Sequence, residues 1–265
     1  MKLARRHDAL LISDDVYDFL QWPAATSSSA QTSSSADSMR IPRLCDVDRS
    51  IGLPADGPAR FGYAVSNGSF SKIAGPGVRT GWLEGTPAFA HGLGQTAATR
   101  SGGAPSQLCA AMMSELVSSG SLEHWIEGTT VPALQRRHKL IMDAVKEYIS
   151  PVANITVRES SISRGAIYGG YFVWFTLPGD ILAKHVAEVA LKEENLVVAH
   201  GNMFEVKGDE ASAKFDHDVR LCFSWEPEEV LVEGVKRLGR VVKRIKDGDV
   251  TIGESHGDET TNTFK

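Results

Sequence analysis

Residues 64–83, reading AVSNGSFSKIAGPGVRTGWL, constrain the possible fold more than any other stretch. A short apolar run, Tyr63-Ala64-Val65, ends in the polar turn Ser66-Asn67-Gly68-Ser69. Gly75-Pro76-Gly77 then punctuates the chain, and Val78 to Leu83 reads as a second strand. Phe70-Ser71-Lys72 is thereby left at a strand end, where open α/β sheets gather their ligands. One amine among hydroxyls and glycines, with Arg79 seven positions later, suits a phosphorylated aldehyde. The amine condenses with the carbonyl, while hydroxyls and the guanidinium hold the phosphate.

The rest of the chain supplies a matching frame. Residues 9–13 are an apolar run that fits a buried parallel strand, with Asp14 of Asp14-Asp15-Val16-Tyr17 at its carboxyl end. Residues 24–39 are dominated by serine without apolar period and read as a flexible surface insert. Residues 40–60, rich in Pro, Gly and Asp, read as irregular loop. Helices are expected over 86–99, 105–118 and 132–149, the last with Leu134, His138, Ile141, Met142, Val145 and Tyr148 on one face. Beyond Pro151 strands fall at 155–158, 170–175, 196–199 and 219–224, with helices at 181–194 and 227–246. Trp125 and Trp174 are expected in the core, with His138 as a packed neighbour. This pattern describes an α/β larger domain over residues 1–130, carrying the serine-rich insert, and a smaller α+β domain over 131–246. Residues 247–265 are polar and acidic and read as a disordered tail.

Composition removes several function classes. A net charge of −5 gives no general reason to expect nucleic acid or an anionic membrane as partner. Cys45, Cys109 and Cys222 are odd in number and scattered, without metal spacing, so reduced thiols in the cytosol are the default. No apolar run approaches the roughly 20 residues a bilayer requires. Gly92-Leu93-Gly94-Gln95-Thr96-Ala97 fits a dinucleotide fingerprint but follows no strand. No metal is expected.

Four islands resemble class I/II aminotransferases, the fold-type I enzymes that use pyridoxal 5'-phosphate, and the likeness runs from about Leu3 to Ile245. They are Asp14-Asp15-Val16-Tyr17, Ser69-Phe70-Ser71-Lys72, Gly75-Pro76-Gly77-Val78-Arg79-Thr80-Gly81-Trp82 and Arg220-Leu221-Cys222-Phe223-Ser224. Their wording is closest to the 2-aminoadipate and kynurenine aminotransferase branch. The resemblance implies a three-layer α/β/α cofactor domain with a small α+β domain. It also implies a role for each residue. Lys72 would be the catalytic lysine joined to the cofactor as an imine, and Asp14 the partner of the pyridine nitrogen. Tyr17 would bond the phenolic oxygen; Ser69, Ser71 and Arg79 would hold the cofactor; Arg220 would clamp the substrate α-carboxylate. Amino acids and 2-oxo acids are the implied substrates, and a homodimer the implied assembly.

Each island also has a plain reading. Lys72 could be a solvated surface lysine, Arg79 could bond carbonyls of its own loop, and Arg220 could pair with Asp218 or Glu226. Order and separation of the four favour the family. The resemblance further implies about as much sequence again before Leu3, including a glycine-rich phosphate loop, so the chain reads as N-terminally incomplete. The alternative is a non-catalytic remnant that retains aminotransferase-like parts or cofactor binding.

Overall fold

The computed structural model describes residues 1–23, 41–52, 58–102, 106–158, 161–162, 165–209 and 212–250. The expected insert at 24–39 and all but the first four residues of the expected tail lie outside them. In chain order the elements are α1 (Lys2–Arg6), β1 (Leu11–Asp14), β2 (Gln21–Pro23), α2 (Leu44–Ile51), β3 (Ala64–Ser69) and β4 (Gly81–Glu84). Next come α3 (Pro87–Gly94), α4 (Ala97–Arg100), α5 (Gln107–Ser118), α6 (Ser121–Trp125), a π-helical turn (Ile126–Thr130) and α7 (Val131–Tyr148). The remainder holds β5 (Thr156–Val157), β6 (Ser161–Ile162), β7 (Gly165–Gly169), β8 (Phe172–Thr176), α8 (Ala183–Glu194), β9 (Ala199–His200), β10 (Asp218–Cys222) and α9 (Glu228–Lys246).

Two units emerge. The first comprises Met1–Pro132 with Ser161–Gly170; the second comprises the described residues of Ala133–Ser160 and Tyr171–Lys265. A continuous second domain over 131–246 was the expectation, and the structure differs at 161–170. The reason is pairing: β7 lies antiparallel to β2, Trp22 opposite Tyr168, with Leu20, Trp22 and Ile167 buried.

In the first unit β3 is central, parallel to β1 and antiparallel to β4. Two glycines let the strands close. A Cβ on Gly68 would stand 2.1 Å from the Trp82 ring, and one on Gly81 would stand 2.6 Å from the Gly68 carbonyl oxygen. Alternation along β1 leaves Ile12 70% exposed, with Leu10 exposed on the same face. Loop was expected over 40–60, yet α2 forms there, anchored by contacts distant in sequence. Its buried Asp48 accepts from Arg5 Nη2 (3.0 Å) and from the Tyr63 amide (2.7 Å). The helix expected over 86–99 is broken into α3 and α4, its glycines at 92 and 94 being weak helix formers.

The second unit carries an antiparallel sheet in the order β5-β8-β10-β9. Val173, Phe175, Val219 and Leu221 on one face are buried, as are Leu134, Ile141 and Val145 of α7, Val186 of α8, and Leu231, Val235, Leu238 and Val242 of α9. Helices α7 and α9 touch through Gly239, where a Cβ would lie 2.5 Å from the Tyr148 carbonyl oxygen. The other sheet face bears Phe172, Trp174 and Arg220, all half-buried. His138 packs edge-to-face on Phe223, centroids 5.5 Å apart. Trp125 is corrected: at 58% exposure it faces solvent from the end of α6.

Candidate active site

A single 3-10 turn, Phe70–Lys72, follows β3 directly and carries Ser71 and Lys72. Ser69 caps it, its Oγ accepting the Ser71 amide at 3.0 Å. The Phe70 amide donates to the Thr80 carbonyl at 3.1 Å, and Trp82 stands edge-on to the Phe70 ring with centroids 4.9 Å apart. So held, Lys72 is half-buried, with Nζ 5.7 Å from the centre of the Tyr17 ring. Tyr17 belongs to the turn after β1, and β1 runs parallel to β3, so both turns leave the same end of the sheet.

Asp14 is the last residue of β1, opposite Asn67 in register, and its Oδ1 accepts from Asn67 Nδ2 at 3.0 Å. The sequence alone gives Asn67 no functional mark beyond its place in a polar stretch. Its signal is the parallel register, which a linear reading does not contain. The neighbouring Asp15 is held differently, by the Ser13 hydroxyl at 2.7 Å.

Arg79 requires a correction. A strand was expected from Val78, but β4 begins at Gly81, and Arg79 sits in the left-handed region at φ 46°, ψ 39° after a 3-10 turn at Pro76–Val78. That conformation costs on the order of 1–3 kcal/mol for a residue with a Cβ. The hydroxyls of Thr80 and Ser106 both donate to the Val78 carbonyl, at 2.9 and 3.1 Å, and hold the turn. Arg79 is exposed, its Nη1 donating to the Pro76 carbonyl at 3.3 Å, which is the loop contact of its plain reading.

In the second unit Asp218, offered as a partner of Arg220, is engaged by other groups. That buried carboxylate accepts from Arg158 at 2.8 and 2.9 Å and from the Thr176 hydroxyl at 2.7 Å. Arg220 lies on the half-buried sheet face with its Cζ 4.1 Å from the centre of the Phe172 ring and 4.0 Å from that of Phe204. The Tyr171 hydroxyl is pushed up by burial.

One further charged cluster in the first unit is structural in character. Arg43 donates to Asp46 (2.9 Å) and Glu84 (2.6 Å), and Arg49 reaches Glu84 at 2.9 Å. The hydrogen bonds from Arg43 hold both carboxyls below their ordinary range, while burial pushes the Cys45 thiol up. Ligand atoms of Cys45, Asp46 and Glu84 come within 4.8 Å of one another, but the arginines already occupy both carboxylates.

The family Aminotransferase class I and II matches residues 1–238. The chain belongs to this family. Relatives include the uncharacterized protein YER152C of Saccharomyces cerevisiae, 32% identical over 91% of this chain and 50% of its own length. Another is aromatic-amino-acid aminotransferase 1 of Thermococcus litoralis, 30% identical over 69% of this chain and 40% of its own. Among solved structures, LysN, the α-aminoadipate aminotransferase of Thermus thermophilus complexed with N-(5'-phosphopyridoxyl)-L-leucine, superposes with a TM-score of 0.67. It shares 23% identity over 93% of this chain and 53% of that one. The fold is therefore the fold-type I architecture of this aminotransferase family, and the chain spans about half the length of the relatives it matches. No described helix is long and apolar enough to cross a membrane.

Proposed function

We propose that this chain serves pyridoxal 5'-phosphate-dependent transfer of an amino group between an amino acid and a 2-oxo acid. The observation that carries the proposal is half-buried Lys72 with its amine 5.7 Å from the centre of the Tyr17 ring, where parallel strands end, in a chain of the aminotransferase family. The donor set suits the cofactor. An amine answers its aldehyde, a carboxylate its ring nitrogen, a phenol its ring oxygen, and hydroxyls with a guanidinium its phosphate.

When bound, the cofactor supplies a carbonyl for the amino group and a ring that stabilises negative charge at the substrate Cα. Lys72 provides the tethering amine and moves the Cα proton, for which a single amine on a capped turn is well placed. Asp14 keeps the ring nitrogen protonated, and Asn67 orients that carboxylate through its 3.0 Å hydrogen bond. The Tyr17 hydroxyl donates to the phenolic oxygen. Ser69 uses an oxygen lone pair in the cap and keeps its O–H to give to the phosphate, alongside Ser71 and Arg79. Arg220 holds the substrate α-carboxylate, a planar bidentate task. The family resemblance and the three unpatterned cysteines support a homodimer in a reducing, cytosolic setting.

Incubation with the cofactor, borohydride reduction and peptide mass mapping test this directly. The pyridoxyl group is expected on Lys72 and is expected to vanish in Lys72→Ala. Labelling spread over other lysines, or unchanged in the variant, refutes the assignment.

A further inference from the structure

The half-buried face of the second unit's sheet sets aromatic rings around Arg220. Phe172 and Trp174 alternate on β8; Arg220 is the register partner of Trp174 on β10, and its Cζ is 6.0 Å from the Trp174 ring. Phe204 arrives from a different element, the 3-10 turn Gly201–Phe204 that follows β9, itself paired to β10 at Ala199 opposite Arg220. We infer that Phe172 and Phe204 are positioning residues for Arg220, fixing its guanidinium so that the N–H edge is preset for a planar carboxylate. This rests on Arg220 being the carboxylate clamp of the proposed function.

The physical reason lies in the shape of the guanidinium. Aromatic faces attract its charge through the flat surface, whereas its N–H donors lie in the plane, so rings against that surface restrict its orientation. An arginine left to rotate in water would have to be ordered by each incoming substrate, at a cost in rotamer entropy that weakens binding. Two rings at 4.1 and 4.0 Å perform that ordering beforehand.

The turn that delivers Phe204 is itself closely specified. A Cβ on Gly201 would lie 2.2 Å from the Phe215 carbonyl oxygen and 2.9 Å from Asp218 Cβ, so only glycine allows this approach. Asn202 Nδ2 donates to Asp216 Oδ1 at 2.7 Å and to Glu205 Oε1 at 3.2 Å, and the Phe215 amide donates to Glu205 Oε1 at 2.8 Å. Trp174 backs the Phe204 ring edge-on, centroids 5.1 Å apart, and Phe215 stands edge-on to Trp174 in turn at 6.3 Å. The stacking ring is therefore tied to the sheet, and Arg220 inherits that rigidity.

Two measurements on the full 265-residue chain test the inference. Calorimetric titration with 2-oxoglutarate compares wild type, Arg220→Ala, Phe172→Leu, Phe204→Leu and Phe204→Tyr. The leucine variants keep apolar volume but lose the ring, and each is expected to weaken binding roughly 3- to 30-fold, with Phe204→Tyr restoring it to within about twofold. In parallel, nuclear magnetic resonance follows exchange of the Arg220 Nε–H with water without any ligand. That exchange is expected to accelerate in both leucine variants and to stay slow in Phe204→Tyr. If Arg220→Ala binds 2-oxoglutarate like wild type, or wild type binds none, the clamp reading is lost. If Arg220→Ala fails to bind while the leucine variants match wild type in affinity and exchange, the clamp stands and the positioning role is overturned.

Discussion

The two units solve the problem of covering a sheet in different ways. In the second, the antiparallel sheet has one face sealed: Phe175, Val219, Val241 and Val242 are at most 1% exposed. Its other face is left half-open and carries Arg220 among aromatic rings. In the first, β3 is buried between its neighbours, but Leu10, just before β1, and Ile12 within it face water beside Asp14. The contrast teaches that closure and chemistry are separable. Where the core is complete, a cation is held by stacking on a rigid platform. Where apolar positions remain open, local devices hold the functional groups: the Ser69 cap, the Asn67–Asp14 bond and the doubly bonded Val78 carbonyl.

The comparison can be broken most sharply in the sealed core. Phe175→Ala removes a ring at 1% exposure and is expected to cost about 3–5 kcal/mol in denaturant unfolding. A cost below about 1 kcal/mol would mean that this core is not closed.

Acid titration sharpens the other side. Asp46 and Glu84 have folded pKa values below their unfolded ones, so their pairing with Arg43 stabilises fully above the ordinary carboxylate range. It is lost as pH falls through the depressed values, below about pH 4. Both carboxylates are about a third exposed, at 36% and 33%, so the effect is smaller than that of Phe175→Ala. Arg43→Met is expected to flatten the acid limb of thermal stability followed by tyrosine and tryptophan fluorescence. An unchanged limb would show that these ion pairs contribute nothing measurable.

Thiol labelling ranks third. Cys222 is exposed, Cys109 half-buried and Cys45 buried with its thiol pushed up, so iodoacetamide is expected to modify them in that order. Mass spectrometry over time reads the sequence of events, and early loss of Cys45 would contradict the packing of α2. Smallest is Ile12→Thr. At 70% exposure it is expected to change unfolding free energy by less than about 0.5 kcal/mol while lowering light scattering on concentration. A large destabilisation would mean that the open face of β1 is covered in solution.

Much of this was legible in the sequence because it rests on local pattern. The amphipathic periods of α7 and α9 and the apolar runs of β8 and β10 follow from neighbours within a few residues. So does the lysine turn between two strands. What escaped depends on partners far along the chain. Helix α2 is stabilised by Arg5, Tyr63 and Glu84, none of which its own composition announces. Segment 161–170 joins the first unit through a strand near residue 22. Arg79 took a left-handed turn because Ser106 and Thr80 hold its preceding carbonyl.

By itself, the sequence determined which residue types could do chemistry here, and in what order: a carboxylate, an amine with hydroxyls, and two guanidiniums at family spacing. Only the tertiary structure decided what each one touches. Asp14 meets Asn67 because two strands run parallel, and Arg220 meets Phe204 because a glycine permits a tight turn against a neighbouring loop. Spacing along a chain fixes identity and periodicity, whereas register and close approach arise only when distant segments pack.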